Sequence, residues 1–269
     1  MMEYCWDSCQ TVPTKELLRS TRLMTELPKT LEEAIAQSRE ATKAAIADGY
    51  KRVQVELVFP EISLQAQSIA WQFIPTLAEM DGQLKVFFPD TGAAALARRD
   101  WGPDLPFKIQ DIGLGRLPIE DKIQPEDGVF LLVEPSSVEV VEVEKLCNAI
   151  GDRLVVLLIP RLEDTATVGI GYAARQLRDR FFSTLVSGYY VKPLAGAALF
   201  HCYPGPWQVW LETGDDYQLI AELPNKPVGD ELDQILGKVS PTSASVDAPK
   251  PKSPGVFTSL QRFLRALSQ

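Results

Sequence analysis

The densest group of chemically capable side chains in the chain is Arg161, Glu163, Asp164 and Arg175. Two guanidiniums can clamp an anion while the acids orient it. The same four can instead pin a long loop by pairing among themselves, with Arg175 and Asp179 at i,i+4 spacing. Just before Arg175 runs Gly169-Ile170-Gly171-Tyr172-Ala173-Ala174, which fits G-x-G-x-x-A, the dinucleotide fingerprint. That fingerprint works when its first glycine directly follows a strand, so that pyrophosphate meets a helix N-terminus. Here about nine residues intervene after Ile159, and Tyr172 crowds the approach. Gly169 and Gly171 therefore read as a tight turn and close helix packing rather than a phosphate cradle.

Other residues invite chemistry and have a structural explanation beside it. Asp90, Asp111 and Glu134 each end an apolar segment, so three carboxylates are expected on one rim. They suit a metal or an acid–base pair, and equally helix caps and turns, with Asp90 before Thr91-Gly92 a natural cap. His201, the single histidine, follows the apolar run Ala197 to Phe200 with no Ser or Asp placed near it. It reads as a satisfied sheet histidine. Trp207 and Trp210, three apart in a strand, point to opposite faces and cannot form one stacking platform. Cys5 and Cys9 with one histidine fall short of the four soft ligands of a structural zinc site. All four cysteines read as reduced thiols of a cytosolic protein. No metal and no cofactor is expected.

The elements that must position these groups alternate. Leu154 to Ile159 is an unbroken apolar run ended by Pro160, the pattern of a central parallel strand buried on both faces. The charged loop follows, then a helix with Ala174, Leu177, Phe181 and Leu185 on one face, placing a ligand site outside the carboxyl end of that strand. Upstream, Thr30-Leu31-Glu32-Glu33 is a capping box opening a helix that Gly49 stops. Val53, Val55, Leu57 and Phe59 alternate with Arg52, Gln54 and Glu56, a strand with one wetter face. Ile62 to Met80 reads as a helix, Leu84 to Phe88 as a strand, Ala93 to Arg99 as a helix, and Phe107 to Ile112 as a strand. Val129 to Val133 and Val138 to Ile150 repeat the unit. After Phe182 come four strand segments joined by short turns, with no room for crossovers and hence expected antiparallel. Val228 to Leu236 is a last short helix. The pattern predicts a three-layer α/β sandwich, a mainly parallel Rossmann-like sheet with an antiparallel C-terminal edge.

Composition limits the partners. With 36 acidic against 27 basic residues the net charge is −9, which argues against nucleic acid. From Gly237 onward there are five basic residues and one acid, a net +4, so the chain's total leaves −13 on the remainder. No apolar run approaches the ~20 residues that span a bilayer. Residues 1–23 lack periodicity and are expected to be a disordered extension, with Met24 the true start. Residues 24–237 form one α/β domain. Residues 238–255, rich in Pro, Ser, Ala and Lys, are a flexible linker. It delivers an amphipathic helix over 256–269. Phe257, Leu260, Phe263, Leu264 and Leu267 make its apolar stripe and Arg262 and Arg265 its polar side. Such a short helix needs a surface: its own acidic domain or, as the linker's reach favours, a protein partner or, weakly, an anionic membrane.

Four stretches, VELVFPEI, KVFFPDTGAAALARRDWG, PRLEDTATVGIGYAARQLRDRF and GPWQVWLE, resemble a domain-of-unknown-function family, number 1995, of cyanobacteria and chloroplasts. The resemblance runs from Met24 to Leu236. It implies a setting, since plant relatives are stromal proteins and one helps assemble the inner antenna of photosystem II. Another relative carries the domain behind an adenylate-kinase module, but no G-x-x-x-x-G-K pattern occurs in this chain. No functional residue carries over. The expectation is a non-catalytic accessory protein of photosystem II assembly or thylakoid biogenesis, cytoplasmic with peripheral thylakoid contact, working through protein partners. The alternative is a protein that binds or turns over a phosphorylated or anionic small molecule. Its site would be built from Arg161, Glu163, Asp164, Gly169, Gly171, Arg175 and Asp90.

Overall fold

The computed structural model describes residues 26–59, 61–113, 117–163, 172–214 and 216–239. The expected N-terminal extension, Asp164, Gly169, Gly171 and the C-terminal helix with Phe257, Leu260, Arg262, Phe263, Leu264, Arg265 and Leu267 lie outside them.

Helix α1 (Leu31–Ala47) starts where the capping box placed it: the Thr30 hydroxyl accepts the Glu33 amide at 3.1 Å. The reciprocal arm differs by one residue, because the Glu33 carboxylate takes the Lys29 amide rather than that of Thr30. Gly49 follows at φ 93°, where a side chain would be strained. The remaining elements in order are β1 (Arg52–Leu57), a 3-10 turn and α2 (Ala66–Ala78), β2 (Gln83–Phe88), α3 (Thr91–Trp101) and β3 (Lys108–Asp111). A second 3-10 turn (Ile119–Lys122), β4 (Asp127–Val133), α4 (Val140–Ala149), β5 (Leu154–Leu158) and α5 (Tyr172–Arg180) follow. Then come β6 (Val186–Leu194), β7 (Ala197–Cys202), β8 (Trp207–Thr213), β9 (Asp216–Leu223) and α6 (Asp230–Val239). Helix α6 runs two residues into the stretch expected as linker.

The strands form one nine-stranded sheet in the order β3-β2-β4-β5-β1-β6-β7-β8-β9. Strands β3 to β6 in that row are parallel, and β7, β8 and β9 extend the edge antiparallel. Strand β5 is interior and buried along its whole length, as its apolar run predicts. One expectation needs correcting. The first segment after Phe182, β6, is parallel to β1, because α5 is the crossover that delivers it; only its partner β7 and the strands beyond turn back.

The two sheet faces carry different cores. On one, α1, α2 and α3 cover Val55, Leu57, Val86, Phe88, Leu131 and Val156. On the other, α4 and α5 cover Phe87, Phe130, Leu132, Val155 and Leu157, while α6 packs near Tyr190, Trp207 and Val209. Each such side chain contributes about 1.5–3 kcal/mol when fully buried. Between these two groups of helices lies the polar side of β1, carrying Gln54 and Glu56. That gap positions the site.

Candidate functional site

Strands β4 and β5 end side by side in strained backbone. Glu134 (φ 50°) and Ile159 (φ 54°) both take left-handed conformations, which cost about 1–3 kcal/mol each for residues with a Cβ. Hydrogen bonds hold the two kinks: Glu134 N–H to Leu158 O at 2.7 Å and Ile159 N–H to Val55 O at 2.8 Å. Beyond them the chains re-pair once, at Ser136 and Arg161. The segments that leave these kinks, Ser136 to Val138 and Pro160 to Glu163, form one wall of a cleft of about 670 Å³. Its floor is Gln54 and Glu56 of β1 with Tyr190 of β6; Phe182, Leu185 and Lys226 complete it.

On the floor, register lines up a row of functional side chains. Glu56 pairs across with Tyr190, Tyr190 with His201, and His201 with Trp207. The His201 and Trp207 rings stack at 4.6 Å and 10°, and Tyr190 lies 5.1 Å from Trp207. The Lys226 ammonium, from the turn after β9, stands 4.0 Å over the Tyr190 ring and 3.5 Å from Glu56 Oε1. Burial pushes the Glu56 carboxyl above the ordinary carboxylate range, against the pull of Lys226 and with a further push from Glu163. Burial also raises the Tyr190 phenol and lowers the His201 imidazole.

The residues singled out from sequence scatter. Arg161 and Glu163 line the cleft. Arg161 is taken up by Glu134 at 2.6 Å, a partner outside the group of four. Arg175 is exposed on α5 and is not part of the cleft wall, and its expected pairing with Asp179 is not among the ion pairs of the described residues. Asp90 caps α3 beyond the end of β2, accepting the Ala93 amide at 2.9 Å, and does not line the cleft. Asp111 binds Lys122 at 3.1 Å. Among the described residues no group of acids, histidines and cysteines is arranged to hold a metal ion. A second concavity, of about 600 Å³, is lined by Lys85, Lys108, Asp111 and Lys122. Its Lys122 is engaged by Asp111 and two backbone carbonyls.

Ser136 and His201 are both engaged by neighbouring groups. The Ser136 hydroxyl donates to Glu139 at 2.6 Å, and the His201 nitrogens face the carbonyls of Ser187 (2.9 Å) and Pro206 (3.4 Å). His201 is thus the satisfied sheet histidine its sequence context predicts, and Trp207 and Trp210 do pack on opposite faces. Burial lifts the Cys147 thiol to about 12, which leaves it without thiolate at neutral pH.

Sequence reasoning missed Glu56, Tyr190 and Lys226. Glu56 had a signal: an acid inside an apolar strand marks a wet face, and in a strand flanked on both sides that face must either be covered or form a site. Lys226, between Pro224 and Pro227 in a turn, had none.

A family model described as Domain of unknown function (DUF1995) matches residues 28–234, nearly all of the described sheet and helices, and the chain belongs to that family.

Proposed function

We propose that this member of the family is a non-catalytic accessory protein that recognises a protein partner through the cleft over β1 and β6, in the service of photosystem II assembly or thylakoid biogenesis. The setting is supported by the resemblance to stromal relatives described above. The non-catalytic part is carried by one observation: Arg161, the guanidinium of the cleft wall, is engaged by Glu134 at 2.6 Å rather than left to hold a substrate. Partly exposed apolar side chains at the mouth, Val58 and Val138, suit contact with a chain rather than with a solvated metabolite. No helix among the described residues is long and apolar enough to cross a membrane.

A small-molecule reading is favoured by the volume alone, which falls within the ~300–1,000 Å³ of ligand pockets. An anion is the poorer fit, because Glu56 and Glu163 share the walls with cations already paired.

The test is affinity purification from a phototroph with its membranes kept intact, comparing the wild type with Val138→Arg, a change at an exposed site on the cleft mouth. A photosynthetic-membrane protein captured by the wild type and lost in the variant is the expected result. Capture undiminished in the variant would move recognition away from the cleft, and a wild type that retrieves nothing photosynthetic would remove the setting.

A further inference from the structure

We infer that the cleft contains an alkylammonium box framed by Glu56, Tyr190 and Trp207, filled by the chain's own Lys226, and that a partner protein's lysine side chain takes that position. This deepens the recognition reading and rests on it.

The geometry is that of a cation site. Lys226 Nζ lies 4.0 Å from the Tyr190 ring centroid and 5.5 Å from that of Trp207, inside the ~6 Å over which an aromatic face attracts a cation. The rings are held in place. Trp207 is backed by the stacked His201, whose Nε2 sits 2.9 Å from the Ser187 carbonyl. Burial holds His201 below its ordinary range, so it brings no competing positive charge to the box at neutral pH.

The resident lysine fills this box imperfectly. Glu56 Oε1 is 3.5 Å from Lys226 Nζ, and Oε2 is 3.4 Å from the Ser187 hydroxyl. Charge-assisted bonds to a carboxylate close to about 2.7–2.9 Å. Both oxygens of a carboxylate only 15% exposed therefore stand at a stretch from their donors, and a better-aimed ammonium gains what Lys226 leaves unused. Lys226 can also leave. It sits outside any strand or helix, between Pro224 and Pro227, and its side chain is 37% exposed. Its departure breaks no ladder. An anion entering instead would meet Glu56 and Glu163.

A resident occupant weakens apparent affinity by the fraction of time the box is open. If Lys226 fills it more than nine-tenths of the time, removing it tightens binding at least tenfold, by the same relation.

The experiment titrates the full chain with n-butylammonium by calorimetry, in the wild type, in Lys226→Ala and in Lys226→Ala/Glu56→Gln, with 1-butanol as the neutral control. The expected result is binding at least tenfold tighter in Lys226→Ala, abolished in the double variant and absent for butanol. A folded Lys226→Ala, shown by its circular dichroism and cooperative melt, that binds no better than the wild type would overturn the box. So would equal binding by the double variant. Should the alanine variant fail to fold, Lys226→Gln carries the same comparison. A blocked glycine-lysine-glycine peptide separates the sources. Tighter binding than butylammonium supports a partner's lysine; weaker binding overturns that assignment in favour of a free amine. The titration reads the box alone and the purification reads the partner and setting, so each can fail without the other.

Discussion

Two of the lysine–carboxylate pairs on the sheet, Lys85–Asp127 and Lys226–Glu56, behave as opposites. Lys85 of β2 and Asp127 of β4 are each 1% exposed and in close contact. The Lys85 ammonium also donates to the Lys122 carbonyl at 2.6 Å, and Asp127 takes the Gln124 amide at 2.7 Å. Lys226 and Glu56, 37% and 15% exposed, meet only at 3.5 Å over aromatic rings. The first pair is almost fully buried and ties β2 to β4. The second opens onto a cleft where another cation can compete. The difference lies in the surroundings, since each pair joins a lysine ammonium to a carboxylate.

The largest effect is expected at the closed pair. Lys85→Met leaves Asp127 as a buried charge whose Oδ1 already has no hydrogen-bond partner, and breaking such a pair from one side costs about 3–5 kcal/mol. Urea denaturation should show that loss, and Lys85→Met/Asp127→Leu should recover most of it. A single variant as stable as the wild type would mean that the pair is not closed.

Next in size is the backbone contact beside it. Strands β2 and β4 approach where Gly82 faces Gly128, and a Cβ on Gly128 would lie 2.6 Å from the Gly82 Cα. Gly128→Ala should cost about 1–3 kcal/mol, as overpacking does, read as a lower denaturant midpoint. No loss would show that the strands can part there, and would weaken the picture of a sealed pair.

The open pair should tolerate more. Lys226→Ala removes a long ion pair, worth about 0–1 kcal/mol, together with cation–π contacts worth about 0.5–2 kcal/mol, so a loss of about 1–2 kcal/mol is expected. A loss of several kcal/mol in thermal or chemical melting would make this pair as structural as Lys85 and Asp127, and would erase the contrast.

The smallest effect is a slope. The Glu56 pKa is raised in the folded state, chiefly by burial, so between the ordinary carboxylate value and the raised one the native chain binds more protons than the unfolded one. Its contribution is fully present below the ordinary value and is lost as pH rises through the raised value. Lys226, Glu163, Ser187 and Tyr190 face the group and stay in place in Glu56→Gln, which cannot titrate there. The wild type should therefore lose stability relative to Glu56→Gln as pH rises across that window. A difference independent of pH would show that Glu56 is solvated like a surface acid.

The contrast also separates what could be read early from what could not. Strands and helices were legible because their signals are local. The unbroken run from Leu154 marks β5, alternation from Val53 marks β1, and Thr30 with Glu33 marks the start of α1. The Asp90 cap was legible for the same reason, since a cap is made within three residues. Among the charged residues between Arg161 and Arg175, only local pairing was open to inspection. Arg161 finds Glu134 27 positions away, through a kink that no spacing announces.

By itself, then, the sequence determined the elements, their alternation, the antiparallel edge and the polar side of β1, because periodicity and turn chemistry act over a few residues. Tertiary structure decided that β1 lies between β5 and β6, that its polar side lines a cleft, and that Lys226 returns over Tyr190 to meet Glu56. These depend on strand order and register, where residues 36 and 170 positions apart become neighbours. A carboxylate becomes part of a site through what the fold sets around it, and that environment is assembled from segments with no local interaction to announce their meeting.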